Sequence, residues 1–342
     1  MCDKYHEKKP HQFSTHIVGT LLFVCFTSSC GGSIERQDLY DLDNQVIYGQ
    51  DDRIEYYQAT DIQQQAADRV FLVVDKLFGK TLTCLSKYCQ LNTKDYTQIE
   101  GIELCDDEPF RGQPCVLAGA TAFLVADDLV ATAGHVFTEE QCPYISFIPH
   151  FLFKSEEKGP AVRFGEERIF QCDSKVIHFT QNNIDFAVWK LDRGTGTMPL
   201  CIRRSGNVKK GTPLIMMGHP IGLPLKIAGN AQSDPWASPI VKSIQKTYTR
   251  FAYEVKTETF RANLDAYVGN SGSPVFDANT MEVQGILIDG STDYTRDSDN
   301  ECIRSNVCSD LSGCPDEGFE IVVHSKFIAP YVPQVECFDP NS

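Results

Sequence analysis

From Val70 onwards the chain is punctuated as short apolar runs separated by turn residues, and this rhythm restricts the fold more than any other feature. Val70-Phe71-Leu72-Val73-Val74, Ala122-Phe123-Leu124-Val125 and Leu129-Val130-Ala131 are of strand length, and Asp127-Asp128 splits the last two into a hairpin. Ile145 to Phe153, the charged turn around Glu156 to Gly159, and the alternating Lys175-Val176-Ile177-His178-Phe179 continue the pattern, as does Pro213 to Gly218 before a Gly/Pro-rich loop. The sequence shows no long helical period, internal repeat, phosphate-cradling glycine loop or metal-ligand box. An all-β protein of barrel type is expected. Two short exceptions are a helix capped by Asp61 and running to about Asp68, and a short C-terminal helix or turn over residues 325–331. With 342 residues, 42% of them hydrophobic, the chain can bury a large core in one two-lobed unit. Its formal net charge of −15 argues against nucleic acid or an anionic membrane surface as the main partner.

Three stretches carry chemistry. Gly269-Asn270-Ser271-Gly272-Ser273-Pro274-Val275-Phe276 places a serine between glycines, which lets the backbone turn tightly and approach a ligand closely. A serine hydroxyl needs a base to become a nucleophile, and the carbonyl it attacks needs donors; the N–H groups of Gly269 and Ser271 are candidates for that oxyanion hole. Thr132-Ala133-Gly134-His135-Val136 sets a histidine just past the hairpin, and Asn183-Ile184-Asp185-Phe186-Ala187-Val188-Trp189-Lys190-Leu191 sets an acid at the start of an apolar strand. The order His135, Asp185, Ser271, with gaps of 50 and 86 residues, is one of three known orders for a Ser-His-Asp triad.

On TAGHV, NNIDFAVWKL and GNSGSPVF the chain resembles the trypsin-like, chymotrypsin-fold serine peptidases over roughly residues 46–335. Within them it is similar to the bacterial glutamyl-endopeptidase-like branch, whose extended N-terminal arm VIYGQDDRIEYYQATD resembles. The resemblance implies two six-stranded antiparallel β-barrels with the active site in the cleft between them. His135 is then the general base, Asp185 its orienting acid, Ser271 the nucleophile, and Gly269 and Ser271 the oxyanion donors. Asn270 stands where the trypsin type carries the acid that pairs with a freed N-terminus, so no such ion-pair switch is expected. Asp265 lies six residues before Ser271, the offset of the acid at the floor of the trypsin specificity pocket, which implies cleavage after Arg or Lys; Gly290 is the other expected substrate-binding residue. Glutamyl endopeptidases carry a histidine in the strand after the nucleophile, and here Leu287 occupies that place. His150 and His178 are read as surface or partly buried residues and His219 as a loop histidine without a chemical role.

The first 29 residues read as an export signal: Lys4, Lys8 and Lys9 precede an apolar run from Ile17 to Phe26 that is too short to span a bilayer. Thr27-Ser28-Ser29-Cys30 resembles a bacterial lipoprotein cleavage box except at Thr27, so lipidation of Cys30, ordinary signal cleavage and an uncleaved anchor or misassigned start all remain open. Residues 30–45 form a polar tether, 46–335 the peptidase domain and 336–342 a tail. The exported part holds 11 of the 14 cysteines, an odd number, so disulfides are expected together with at least one thiol free or shared between chains. Proximity suggests Cys84 with Cys89 and Cys105 with Cys115, and disulfides rather than zinc for Cys302, Cys308 and Cys314. The expected activity is an exported serine endopeptidase acting on proteins or peptides, without cofactor or metal, in the cell envelope or secreted. An envelope quality-control protease of the high-temperature-requirement kind, similar in the GHPIGL loop, and a non-catalytic binding lipoprotein on the same fold are the alternatives.

Overall fold

The computed structural model describes residues 47–48, 51–77, 80–99, 101–181, 184–229, 250–256, 258–290, 292–297, 299–308 and 319–340. Six strands, β1 (Val70–Asp75), β2 (Ala120–Ala126), β3 (Leu129–Thr132), β4 (Ile145–Pro149), β5 (Phe170–Gln181) and β6 (Ile184–Leu191), close into an antiparallel barrel in the order β1-β2-β3-β6-β5-β4. Alternation explains the uninterrupted apolar run of β1. Phe71 and Val73 point inward to Ala122, Leu124, Phe147 and Trp189, whereas Leu72 and Val74 point outward beneath Leu82, Leu91, Val116 and Phe151. Both faces are covered, so both alternating sets are apolar. Trp189 fills the interior, stacked on Phe137 with ring centroids 4.4 Å apart.

Six further strands, β7 (Pro213–Gly218), β8 (Arg250–Val255), β9 (Thr259–Ala262), β10 (Pro274–Asp277), β11 (Val283–Asp289) and β12 (Glu320–His324), pair antiparallel in the order β8-β9-β12-β11-β10-β7. The register Pro213 to Phe251 and Leu214 to Arg250 returns β7 to β8, so this ring also closes. Leu214, Met216, Phe260, Val275, Leu287 and Val322 fill it. A third apolar layer lies between the barrels and includes Phe123, Val125, Phe186, Val188, Ile215, Met217, Phe276, Ile286 and Val323. These are the residues that alternate with the barrel-filling sets, which is why two barrels, each apolar on two faces, pack as one body.

One local expectation shifts. The helix Asp61–Ala67 is capped by Thr60 rather than Asp61: Thr60 Oγ1 accepts the Gln63 N–H at 3.2 Å and Gln63 Oε1 accepts the Thr60 N–H at 2.9 Å, a reciprocal capping box. The C-terminal segment forms two consecutive 3₁₀ turns, Ser325–Phe327 and Ala329–Tyr331, because Pro330 cannot supply an N–H to a continuing helix.

Four disulfides are present among the described residues: Cys84–Cys89, Cys105–Cys302, Cys142–Cys172 and Cys201–Cys337. The pairing of Cys105 with Cys115 is overturned. Cys105 meets Cys302 because Tyr96 and Leu104 pack with Tyr294 and Ile303, far apart in sequence, in one apolar cluster that also holds Ile47 and Tyr267. Cys115 stays a buried free thiol, pushed up to about 11 by burial and by Asp95. Cys314 and the Cys308 side chain, like Cys30 and the whole expected signal and tether, lie outside the described residues.

Candidate active site

The segment Thr132 to Val136 leaves β3 and turns once as a 3₁₀ helix, Gly134–Val136, so that the His135 ring projects over the barrel rim. Gly134 is needed there: a Cβ would lie 2.6 Å from both Asp185 Oδ1 and the Phe179 carbonyl oxygen. Asp185 sits near the start of β6, paired with Thr180 of β5, at the end of a long ribbon whose two bulges increase its twist. Its Oδ1 accepts the His135 main-chain N–H at 2.9 Å and its Oδ2 meets His135 Nδ1 at 2.5 Å. One carboxylate thus fixes both the backbone and the ring of the histidine. On the far side of the turn, His178 Nε2 donates to the Gly134 carbonyl at 2.7 Å.

Ser271 lies in the loop before β10, between two glycines in the left-handed region, Gly269 at φ 94° and Gly272 at φ 89°. At Gly272 a Cβ would be 2.0 Å from the Thr121 carbonyl oxygen, so the loop could not seat against the first barrel with a side chain there. This seating brings Ser271 Oγ to 2.9 Å from His135 Nε2. Asp185, His135 and Ser271 form one hydrogen-bonded line across the two barrels, and the His135 side chain remains 34% exposed, open to a ligand.

The donors expected around the oxyanion are oriented by their neighbours. The Val268 carbonyl accepts the Ile221 N–H at 2.5 Å, and the Asn270 carbonyl accepts the Ser273 N–H at 2.8 Å. In a trans peptide the N–H points opposite to the C=O. The Gly269 and Ser271 N–H groups are therefore both turned away from the loop's own internal bonds.

Asp265 has a different occupation from the one expected of it. It is fully buried, and its two oxygens accept the N–H groups of Tyr48 at 2.7 Å and Asp52 at 3.0 Å, both from the N-terminal arm. Next to it Arg53, held by Asp51 at 2.6 Å, stacks 3.9 Å from the centroid of Tyr267 and donates to the Tyr267 hydroxyl at 2.9 Å. A carboxylate spent on two amides and facing a buried guanidinium is not presented to a substrate side chain. Gly290 follows β11, half-buried, with its N–H on Asp289 Oδ1 at 2.9 Å. Leu287 is part of the second barrel's core.

The remaining histidines divide by burial. His150 lies 3.4 Å from Asp68 at the surface. His219 is fully buried; burial pushes it down to about 3, opposed by the bond between Nδ1 and the Leu223 carbonyl and reinforced by Lys226. Well above that value the ring is neutral. Asp293 belongs to no sequence motif, yet its Oδ2 accepts the Val268 N–H at 2.9 Å, beside the peptide that presents Gly269. Its one sequence signal is an acid in a turn-rich stretch, which many surface loops share.

With this geometry in place, residues 120–286 match the family model described as trypsin-like peptidase domain. No curated protein sequence is significantly similar to the chain. Among solved structures, a Glu endopeptidase in complex with MPD aligns at 14% identity, covering 83% of this chain and 96% of that one, with a TM-score of 0.45. The active form of the Rv3671c protease from M. tuberculosis aligns at 11% identity over 92% and 96% of the two chains, TM-score 0.43. The VesB protease of Vibrio cholerae aligns at 13% identity over 84% and 67%, TM-score 0.42.

Proposed function

We propose that this chain, whose residues 120–286 match a trypsin-like peptidase domain, is a serine endopeptidase that hydrolyses peptide bonds through His135, Asp185 and Ser271 by way of an acyl-enzyme. The observation that carries the proposal is the unbroken line from Asp185 Oδ2 through His135 Nδ1 and Nε2 to Ser271 Oγ. Nε2 takes the hydroxyl proton as Oγ attacks the scissile carbonyl, and the same proton passes to the leaving amine as the C–N bond breaks. Asp185 holds Nδ1–H and offsets the charge of the imidazolium. The Gly269 and Ser271 N–H groups receive the negative charge on the tetrahedral oxygen. Water then attacks the acyl carbonyl by the same route, and Ser271 is released.

A preference for Arg or Lys does not follow, because the N-terminal arm already occupies the Asp265 carboxylate that it would need. Export is part of the proposal, with cell-envelope attachment if Cys30 is lipidated and a secreted or periplasmic product if it is not. The four disulfides support an oxidising destination. The test is a mixed-sequence peptide library digested by protein beginning at Gly31, with Ser271→Ala as control. Cuts that vanish in the variant support the triad. A folded, disulfide-intact sample with no Ser271-dependent cutting would overturn it and favour a binding role.

A further inference from the structure

We propose that the Thr121 hydroxyl is a positioning group for the oxyanion donors, an inference that rests on the peptidase reading above. Thr121 is the second residue of β2 in the first barrel, pairs with Leu72 of β1 and has no solvent exposure. Its position gives it four hydrogen bonds to three separate parts of the site. Its main-chain N–H donates to the Ser271 carbonyl at 3.0 Å. Its Oγ1 donates to the Gly269 carbonyl at 2.9 Å and accepts the His219 N–H at 3.0 Å. Its own carbonyl accepts Thr132 Oγ1 at 2.7 Å, at the foot of the turn that carries His135.

The main-chain bonds would survive with any residue but proline at 121, whereas those of the hydroxyl need threonine or serine. The hydroxyl reaches Gly269 from two directions. From one side it holds the Gly269 carbonyl, in the peptide that follows the donor N–H. From the other it holds the start of the His219–Leu223 loop, whose Ile221 N–H grips the Val268 carbonyl at 2.5 Å and so turns the Gly269 N–H outward. There is little slack in that loop: Ile221 lies at φ 52°, and a Cβ on Gly269 would come within 2.7 Å of both the His219 oxygen and the Ile221 nitrogen. Without the hydroxyl, a buried N–H and a buried carbonyl lose their partner together. The cheapest relief is for the 219–223 loop and the 268–269 peptide to shift towards other partners. Oxyanion donors act on a charge that exists only in the transition state, so displacing one lowers turnover without weakening ground-state binding.

The test compares Thr121→Val, which keeps the shape and removes the hydroxyl, with Thr121→Ser, which keeps the hydroxyl and removes the methyl. The readouts are kcat and KM on a peptide that the wild type cuts, and the inhibition constant of a peptide boronate of the same sequence, a tetrahedral mimic. For Thr121→Val we expect kcat to fall roughly 10- to 100-fold with KM within about threefold, and boronate binding to weaken by a similar factor. Thr121→Ser should stay within about threefold of wild type in all three. If the valine variant is too unstable to assay, Thr121→Ala at low temperature is read in the same way. A folded Thr121→Val or Thr121→Ala variant with wild-type kcat would overturn the proposal, as would Thr121→Ser impaired as severely as Thr121→Val, which would assign the effect to methyl packing. Ser271→Ala separates the two levels of inference: wild-type protein with no Ser271-dependent turnover removes the peptidase reading and this proposal with it, whereas active wild type with an indifferent Thr121 removes only the latter.

Discussion

The segment from Asp265 to Ser271 has a polar cluster at each end. At Ser271 the partners are side chains at the rim of a cleft: His135 is about one-third exposed, and its hydrogen bonds run to atoms that can exchange protons. At Asp265 the partners are main-chain N–H groups of the N-terminal arm, and around them lie further buried charges. Arg53 is held by Asp51, and Lys226 is paired with Glu55 at 2.9 Å and donates to Gln113 and Pro224. The first cluster joins partly exposed side chains to one another, and the second ties buried charges to the main chain and side chains of the N-terminal arm. A carboxylate at a specificity-pocket offset therefore says nothing until its partners are known.

The sharpest way to break this contrast is at the cleft. Ser271→Ala should lower turnover by on the order of 10⁴ or more while leaving the thermal midpoint nearly unchanged, because the lost hydroxyl is partly exposed. A comparable fall in stability would mean that the loop, not the chemistry, depends on that oxygen. His219 gives the next largest effect, in pH. Its pKa of about 3 in the fold lies below the value near 6.5 expected when unfolded, so the unfolded state binds more protons as pH falls through that window. Stability should fall by up to about 5 kcal/mol between pH 6.5 and 3 on this account, and His219→Gln should show a flatter denaturation midpoint over the same range. A wild-type profile no steeper than that of the variant would remove His219 as the cause.

On the arm side, Asp265→Ala should cost about 3–5 kcal/mol in denaturant unfolding, because it strands two amides and leaves Arg53 with less compensating charge. Were Asp265 instead a pocket floor, the same change would abolish cleavage after basic residues and spare stability, so one variant decides between the two roles. Lys226 sharpens the comparison last. Burial pushes it down to about 8 despite Glu55, against about 10.4 when unfolded. Below pH 8 both states hold the proton and the penalty is fully present. Between pH 8 and about 10.4 only the unfolded state holds it, so stability should rise by about 3 kcal/mol. The wild-type thermal midpoint should therefore gain on that of Lys226→Met across this interval; parallel curves would show that Lys226 keeps an ordinary pKa.

The difference between the clusters also explains what could be read in advance. TAGHV, NNIDFAVWKL and GNSGSPVF are local: each places one side chain by its own turn, glycine or strand end, and such constraints leave a pattern in a few consecutive residues. The alternation of Phe71 and Val73 with Leu72 and Val74 is equally local and marks a strand covered on both faces. The arm cluster has no such pattern, since Tyr48 and Asp52 find Asp265 across more than 200 residues. For the same reason the nearness of Cys115 in sequence misleads about Cys105, whose partner is Cys302. Thr121 shows the limit most clearly, because nothing around it differs from an ordinary strand residue.

Taken alone, the sequence determined the strand rhythm, the positions of the serine, histidine and acid, and the glycines those turns require, because each follows from short-range sterics and hydrogen bonding. The tertiary structure alone decided which of the charged and hydroxyl side chains face the cleft and which are spent within the fold. That choice depends on packing the N-terminal arm, the long connecting loops and two barrels against one another, and a buried polar atom takes whatever partner that packing delivers.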